Sequence, residues 1–245
     1  MSKAIQTCFK RYEKKYFLTD EQYRMFKEKT ASFVKPDDYG SYTICNIYYD
    51  TDNYSLIRAS LEKPVYKEKL RVRSYGVPGE NGTVFVELKK KYDGVVYKRR
   101  ITMKNSEAQV FLKGFKTGGE LSRIGREIDY FQSFWQTVPK AFIAYDREAL
   151  QGTENSDLRI TFDTNLRYRL DRLDLAAGDD GERITDNDLI LMEVKMPDSC
   201  PLELSKVLSE LKIKPASFSK YGECYKSHIM NNNRNSVKKE MYLSA

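Results

Sequence analysis

The chain has little of what many metal sites and catalytic triads require. Its 245 residues include a single histidine, His228, so histidine-based triads and histidine-ligated metals have almost nothing to work with. The four cysteines, Cys8, Cys45, Cys200 and Cys224, lie far apart with no paired spacing. This spacing indicates packed or free thiols in a reducing compartment, and neither a zinc site nor a disulfide framework.

Long apolar runs are also missing. No stretch approaches the roughly 20 apolar residues of a membrane-spanning helix, and the first residues lack the apolar run of a signal peptide. We therefore expect a soluble, cytoplasmic protein without a transmembrane segment, and leave open both a membrane-bound partner protein and the oligomeric state. Since no low-complexity linker divides the chain, we expect one domain over residues 1–229 and a mobile tail over residues 230–245.

The excess of one charge sign is small. There are 42 Lys and Arg against 35 Asp and Glu, for a net charge of +7. The cations alternate within strand-like segments and do not gather in an arm or a recognition helix. An anionic partner is therefore indicated, but nucleic acid is not expected.

Alternation and β-branched or aromatic content predict eight strands, at residues 10–18, 42–50, 66–75, 83–91, 95–103, 140–148, 158–170 and 188–196. Periodicity and capping residues predict helices at 19–30, 53–61, 106–115, 120–136 and 201–212. The dipeptide Asp93-Gly94 predicts a hairpin between two of the strands. Because the helices do not follow a strict βαβ rhythm, the pattern indicates an α+β fold with a largely antiparallel sheet.

Residues 66–76 read YKEKLRVRSYG and carry the clearest charge pattern. In a strand, alternation places Lys67, Lys69, Arg71 and Arg73 on one face. Other predicted strands repeat this pattern and have apolar residues on the opposite face. The charged faces are either solvated over an ordinary core, or they line the lumen of a closed barrel. Alternation defines two faces without saying which one is inside.

Eight short strings occur in a recognisable order: RYEKKY (11–16), YYD (48–50), KLRVR (69–73), ELK (87–89), YDR (145–147), RITFDT (159–164), EVK (193–195) and FSKY (218–221). In this order and spacing, the chain resembles the polyphosphate polymerase domain of the vacuolar transporter chaperone (VTC) family. That family falls within the triphosphate tunnel metalloenzymes of the CYTH superfamily. The resemblance runs from about residue 8 to about residue 228.

The resemblance implies an α+β fold in which about eight antiparallel strands close into a barrel, forming a charged tunnel surrounded by helices. It also implies an enzyme, an ATP-dependent polyphosphate polymerase. Such an enzyme transfers the γ-phosphate of ATP to a growing inorganic polyphosphate chain, releases ADP, and needs Mn²⁺ or Mg²⁺. The alternatives are a metal-dependent triphosphatase or polyphosphatase of the same class, and a non-catalytic module that binds polyphosphate or inositol phosphates.

The same resemblance assigns roles to individual residues. Eight cations would contact the phosphates and support transfer: Lys15, Arg71, Arg73, Lys89, Lys98, Arg147, Arg159 and Lys220. Tyr145 and Ser219 would add hydroxyl hydrogen bonds, and Glu193 would hold the metal. Glu13 and Glu87 are weaker metal candidates, whose alternative role is to pair with a neighbouring cation.

Two further observations qualify these roles. Lys67 and Lys69 fall outside the family's phosphate contacts and are expected only to attract the anion. Many triphosphate tunnel enzymes begin with an E-x-E-x-K string, whereas here Arg11 stands in place of the first glutamate. One metal-binding carboxylate is therefore missing, which favours the polymerase branch over a two-metal triphosphatase.

Overall fold

The computed structural model describes residues 12–93, 95–115, 120–185, 188–196 and 199–230. Its strands are β1 (Tyr12–Leu18), β2 (Val34–Asp50), β3 (Tyr66–Tyr75), β4 (Thr83–Tyr92), β5 (Val95–Lys104), β6 (Val138–Gly152), β7 (Arg159–Arg169), β8 (Glu182–Arg183), β9 (Ile190–Met196) and β10 (Pro215–Ala216). Its α-helices are α1 (Asp20–Thr30), α2 (Ser55–Leu61), α3 (Asn105–Leu112), α4 (Arg123–Trp135), α5 (Leu202–Glu210) and α6 (Lys220–Cys224). A 3₁₀ turn spans Leu175–Ala177, and a π-helical turn spans Tyr225–Ile229.

Several sequence predictions concern residues outside these ranges, among them those for Cys8 and Gly94. Arg11, on which the departure from the E-x-E-x-K string rests, is not among the described residues, and neither is the predicted tail from residue 231 onward. Within the described ranges, no helix combines the length and the apolar character needed to cross a lipid bilayer.

The strands form one antiparallel sheet in the order β10-β1-β9-β7-β6-β2-β3-β4-β5, and β8 pairs with β7 at one side. The predicted antiparallel pairing of the two strands that flank Asp93 is confirmed, since β4 and β5 pair from Tyr92 opposite Val95 onward. The α+β class and the antiparallel sheet are therefore confirmed.

The prediction of a closed barrel was wrong. β5 pairs with β4 alone and β10 with β1 alone, so the sheet has two ends in the part of the chain that the structure describes. Closure would require β5 to pair with the free side of β1. That side is occupied by β10, where Lys15 and Tyr16 lie opposite Ala216 and Pro215, and β10 is only two residues long.

The open sheet is nevertheless strongly curved. Lys89 on β4 has its ammonium 3.9 Å from a carboxylate oxygen of Glu13 on β1, although five strands lie between β1 and β4 in the sheet order. Such an approach is possible only if the charged side chains share the concave face. The sequence left open whether the charges point in or out, and the structure places them inside the curve.

Apolar side chains pack on both faces of the sheet. On the convex face, α1 and α5 cover one cluster and α3 and α4 cover another, and both are rich in fully buried residues such as Phe26, Phe162, Leu204, Val86, Leu88 and Ile128. On the concave face, α2 and α6 cover a third cluster that includes Tyr48, Ile57, Ile143, Tyr145 and Tyr221. The rest of the concave face carries the charged residues.

Candidate functional site

The charged part of the concave face brings most of the predicted site residues together. We call it the cationic face, and its members are nine cations, Lys15, Lys69, Arg71, Arg73, Lys89, Lys98, Arg147, Lys195 and Lys220, and four carboxylates, Glu13, Glu87, Asp163 and Glu193. They come from strands β1, β3, β4, β5, β6, β7 and β9 and from α6. The cations outnumber the carboxylates, so the surface attracts anions.

Arg71 is held in place by a buried carboxylate. Its Nε and Nη2 donate to Glu87 Oε2 at 2.9 and 2.7 Å, and its Nη1 donates to Tyr48 Oη at 3.2 Å. Lys98 Nζ lies 2.5 Å from the other oxygen of Glu87. Burial alone would raise the pKa of Glu87, but Arg71, Arg73 and Lys98 together hold it well below its usual range. Glu87 therefore pairs with and positions cations, the alternative role that the sequence left open.

A second buried carboxylate, Asp163, positions two more cations. Arg147 binds it through Nε and Nη2, at 2.6 and 2.8 Å, and Lys220 Nζ lies 2.6 Å from its Oδ2. Burial would raise the pKa of Asp163, but Lys220 and Arg147 lower it overall. No role was predicted for this carboxylate from the sequence, where it lies in the string RITFDT and on the same strand face as Arg159.

Tyr145 connects Arg73 to the group formed by Asp163, Arg147 and Lys220. Its hydroxyl accepts a hydrogen bond of 3.1 Å from Arg73 Nη2, and Lys220 Nζ lies 4.2 Å from the centre of its ring. Arg73 also donates to Asn46 Oδ1 at 2.9 Å. Burial would raise the pKa of the Tyr145 hydroxyl, but Arg73, Arg147 and Lys220 outweigh it and lower the pKa to about 8.

Glu193 lies among lysines at the β1–β9 side of the cationic face. Its oxygens are 2.7 Å from Lys195 Nζ and 3.7 Å from Lys15 Nζ. Lys15 also lies 3.6 Å from Glu13 and donates to the backbone carbonyl of Phe218 at 3.0 Å. Although burial opposes ionisation, these and other cations hold the pKa of Glu193 well below its usual value. Glu193 is therefore ionised.

The carboxylates at Glu193 suit a metal ion that is shared with substrate phosphates, and do not suit one held by protein ligands alone. No group of three or more histidine, cysteine, aspartate or glutamate side chains in the described ranges could hold a metal by itself. A cage made only of protein ligands is therefore not formed there. Mg²⁺ and similar hard cations are commonly held by one or two carboxylates together with substrate phosphates. Glu193, with Glu13 on the adjacent strand, fits that shared arrangement.

Lys69 also belongs to the cationic face. Its Nζ donates to Ser219 Oγ at 3.0 Å, and no carboxylate of the described residues forms an ion pair with it. Burial, with smaller contributions from neighbouring lysines, lowers the pKa of Lys69 to about 8. Ser219 also caps α6, because its Oγ accepts from the amide of Gly222 at 3.2 Å.

Arg159 is the predicted site residue that stands apart. It lies opposite Lys195 in the β7–β9 pairing, but its guanidinium pairs with Asp37 at 3.1 Å and is about half exposed. Asp37 belongs to the irregular part of β2, where the pairing with β6 shifts between Pro36 and Ser41. The structure therefore places Arg159 at the margin of the cationic face.

The model of the VTC domain family matches residues 10–229 of this chain. The chain belongs to the VTC domain family. It is 29% identical, over 145 residues, to vacuolar transporter chaperone complex subunit 4 of Schizosaccharomyces pombe. That alignment covers 50% of this VTC domain chain but only 20% of the relative, so the chain spans about a fifth of the length of the curated protein that it matches.

Solved structures show where else the fold of this VTC domain occurs. A putative adenylate cyclase from Bacillus halodurans matches with a TM-score of 0.54 at 12% identity, covering 87% of this chain and 96% of that one. A putative adenylyl cyclase from Hippeastrum, described as having a dominant triphosphatase activity, matches with a TM-score of 0.51 at 17% identity, covering 88% and 94%. At such low identity, the matches show a shared fold and nothing about activity.

Proposed function

We propose that this VTC domain is an ATP-dependent polyphosphate polymerase. It transfers the γ-phosphate of ATP to a growing inorganic polyphosphate chain and releases ADP, with the help of Mn²⁺ or Mg²⁺. The observation that carries the proposal is the cationic face, where Arg71, Arg73, Arg147 and Lys220 are held by buried partners on the inner side of a curved sheet. Membership of the VTC family supports the choice of phosphate chains as the ligand.

The arrangement of these cations suits phosphoryl transfer. This chemistry depends mainly on positioning the phosphates and neutralising their oxygens. A guanidinium has five N–H donors, and the bonds that Arg71 and Arg147 make to protein groups leave some of them for phosphate oxygens. Since Glu87 and Asp163 fix the orientation of these side chains, little reorganisation is needed when the ligand binds.

Glu193 would hold the metal, and Glu13, which shares Lys15 with Glu193 as an ion partner, would assist. A bound Mn²⁺ or Mg²⁺ would neutralise charge on the transferred phosphate. Lys195 and Lys15 keep Glu193 ionised, so the carboxylate is ready to bind a cation at neutral pH. Tyr145 and Ser219 would complete the site by donating hydroxyl hydrogen bonds to phosphate oxygens.

Incubating the purified protein with ATP and Mn²⁺ tests the proposal. We expect ADP together with a polymer of phosphate, resolved on a gel and digestible by an exopolyphosphatase. Free phosphate without polymer would instead make the protein a triphosphatase, and binding without turnover would make it a phosphate-binding module. Arg71→Ala should abolish polymer formation. The matched change Arg99→Ala, on β5 and on the side of the sheet away from the cationic face, should leave polymer formation intact.

A further inference from the structure

An aromatic cluster lies at one end of the cationic face and has no role in the function proposed above. It consists of Tyr39, Tyr42, Tyr75 and Phe85, whose ring centres follow one another at 6.4, 5.7 and 5.7 Å in edge-on contacts. Such edge-on contacts at these distances are favourable. The cluster is therefore a continuous aromatic surface.

Strand pairing joins this aromatic cluster directly to the cations. Tyr75 follows Arg73 by two residues on β3, and Phe85 lies opposite Arg73 on β4. Tyr42 lies opposite Arg147 in the pairing of β2 with β6. Alternate residues of a strand share a face and lie about 7 Å apart. The aromatic rings therefore lie next to Arg73 and Arg147 on the same face of the sheet.

Two rings of the cluster, those of Tyr75 and Tyr39, are exposed. Tyr75 is 52% exposed and Tyr39 is 77% exposed. Elsewhere on the concave face, Tyr48 and Tyr221 are buried and stack on each other with ring centres 4.8 Å apart. Exposed aromatic rings beside a basic groove are the usual means by which proteins bind an unpaired base next to its phosphates.

We propose that the aromatic cluster is the nucleobase platform of the site. Tyr75, flanked by Tyr42 and Phe85, packs against the purine base of a nucleoside polyphosphate while the phosphates lie on Arg73 and Arg147. The proposal rests on the proposed function and adds to it. It makes the site selective for a nucleotide over an inorganic phosphate chain of equal length.

Calorimetric titrations with ADP and with inorganic pyrophosphate, both with Mg²⁺, separate the platform from the phosphate site. These two ligands carry phosphate chains of equal length and avoid turnover of ATP. The test variant is Tyr75→Ala, and the conservative variant is Tyr75→Phe. The matched control is Tyr92→Ala, because Tyr92 also lies on a strand, is 57% exposed, and faces the other side of the sheet.

We expect the wild-type protein to bind ADP more tightly than pyrophosphate. Tyr75→Ala should weaken ADP binding by about fivefold or more, since a stacked base contributes on the order of 1–3 kcal/mol. The same variant should bind pyrophosphate as the wild type does. Tyr75→Phe should retain ADP affinity, and Tyr92→Ala should behave as the wild type with both ligands.

Three results would contradict the proposal that the aromatic cluster is a nucleobase platform. These are equal wild-type affinity for the two ligands, an unchanged ADP affinity in Tyr75→Ala, or equal losses for ADP and pyrophosphate. A wild-type protein that binds pyrophosphate but prefers no nucleotide refutes the platform and leaves phosphate binding standing. A wild-type protein that binds neither ligand refutes the proposed function together with the platform.

Discussion

The surroundings of Lys69 determine its charge and the groups that its ammonium can bind. Its ammonium is partly buried beside Ser219, and its pKa is lowered to about 8 mainly by desolvation. A phosphate oxygen would supply the negative charge that nearby carboxylates do not. We therefore propose that Lys69 contacts a phosphate directly.

Replacing Lys69 by Met should weaken binding of inorganic triphosphate at pH 7 by about 1.5–3 kcal/mol, the order of a hydrogen bond to a charged group. Since the ammonium loses its proton as pH rises through about 8, wild-type affinity should fall across that range. The variant should lose this part of the pH dependence. Titrations at pH 6.5, 7.5 and 8.5 would measure both effects.

The control for this prediction is Lys67→Met, on the same face and two residues away. Lys67 donates to the backbone carbonyl of Ser60 at 3.3 Å and should contribute only long-range attraction. Equal losses in the two variants, with equal pH profiles, would mean that Lys69 only attracts the anion.

Glu193→Gln should abolish metal-dependent turnover while leaving metal-free triphosphate binding at least as tight as in the wild type. The amide cannot supply the charged oxygen that Mn²⁺ or Mg²⁺ prefers, but its neutrality removes a negative charge from an anion site. Measuring turnover and metal-free binding in the same preparation separates these effects. Glu148→Gln, which breaks the ion pair with Lys27 outside the cationic face, is the control. Unchanged turnover in Glu193→Gln would exclude Glu193 as the metal ligand.

At the scale of elements, Asp50 determines how α2 and α6 cover the concave face. Its buried carboxylate accepts hydrogen bonds from the backbone amides of Leu56 and Ile57, at 2.9 and 3.0 Å, and from the hydroxyl of Tyr221 at 3.1 Å. The end of β2 is thereby joined to the first turn of α2 and to α6. Burial raises the pKa of Asp50 despite these bonds.

Asp50→Ala should lower the free energy of unfolding by about 3 kcal/mol, because it leaves buried donors without an acceptor. Asp52→Ala, two residues along, removes only an exposed partner of Lys140 and should cost less than about 1 kcal/mol. Denaturant unfolding of the two variants would measure the difference. Similar losses would mean that Asp50 does not hold these helices.

Strands and helices that are long enough to show a repeating pattern could be predicted from the sequence, whereas the shortest elements could not. β3 spans Tyr66–Tyr75 as predicted, because its alternation is uninterrupted. β2 begins at Val34 and not at residue 42, since Pro36 and Gly40 obscure the pattern of its first half. α6 has five residues and β10 has two, too few to show any period. These short elements nevertheless carry Lys220 and cover the free side of β1.

At the scale of the whole molecule, strand alternation predicted a charged face on several strands, but it could predict neither the direction of that face nor closure of the sheet. Closure depends on whether the two end strands pair, and the sequence of β5 does not reveal that β10 occupies the free side of β1. The ion pairs of the cationic face could not be predicted from the sequence either. Glu87 joins Arg71 to Lys98 because strand register places it opposite Arg71 on β3, while β5 with Lys98 lies on its other side. Asp163 joins Arg147 to Lys220 because register places it opposite Arg147 on β6, while α6 brings in Lys220.

The curved sheet allows one decisive comparison, because Lys89 and Lys90 are neighbours that point to opposite faces. Lys89 lies on the cationic face near Glu13, whereas Lys90 pairs with Glu68 and Glu127 on the convex side. Triphosphate at a hundredfold excess over its Kd should stabilise the wild type by about 2.7 kcal/mol, or about 5 to 10 °C in Tm. Lys89→Met should reduce that shift at the same triphosphate concentration, and Lys90→Met should preserve it. Equal shifts in the two variants, measured by thermal unfolding, would mean that the phosphates do not bind on the concave face.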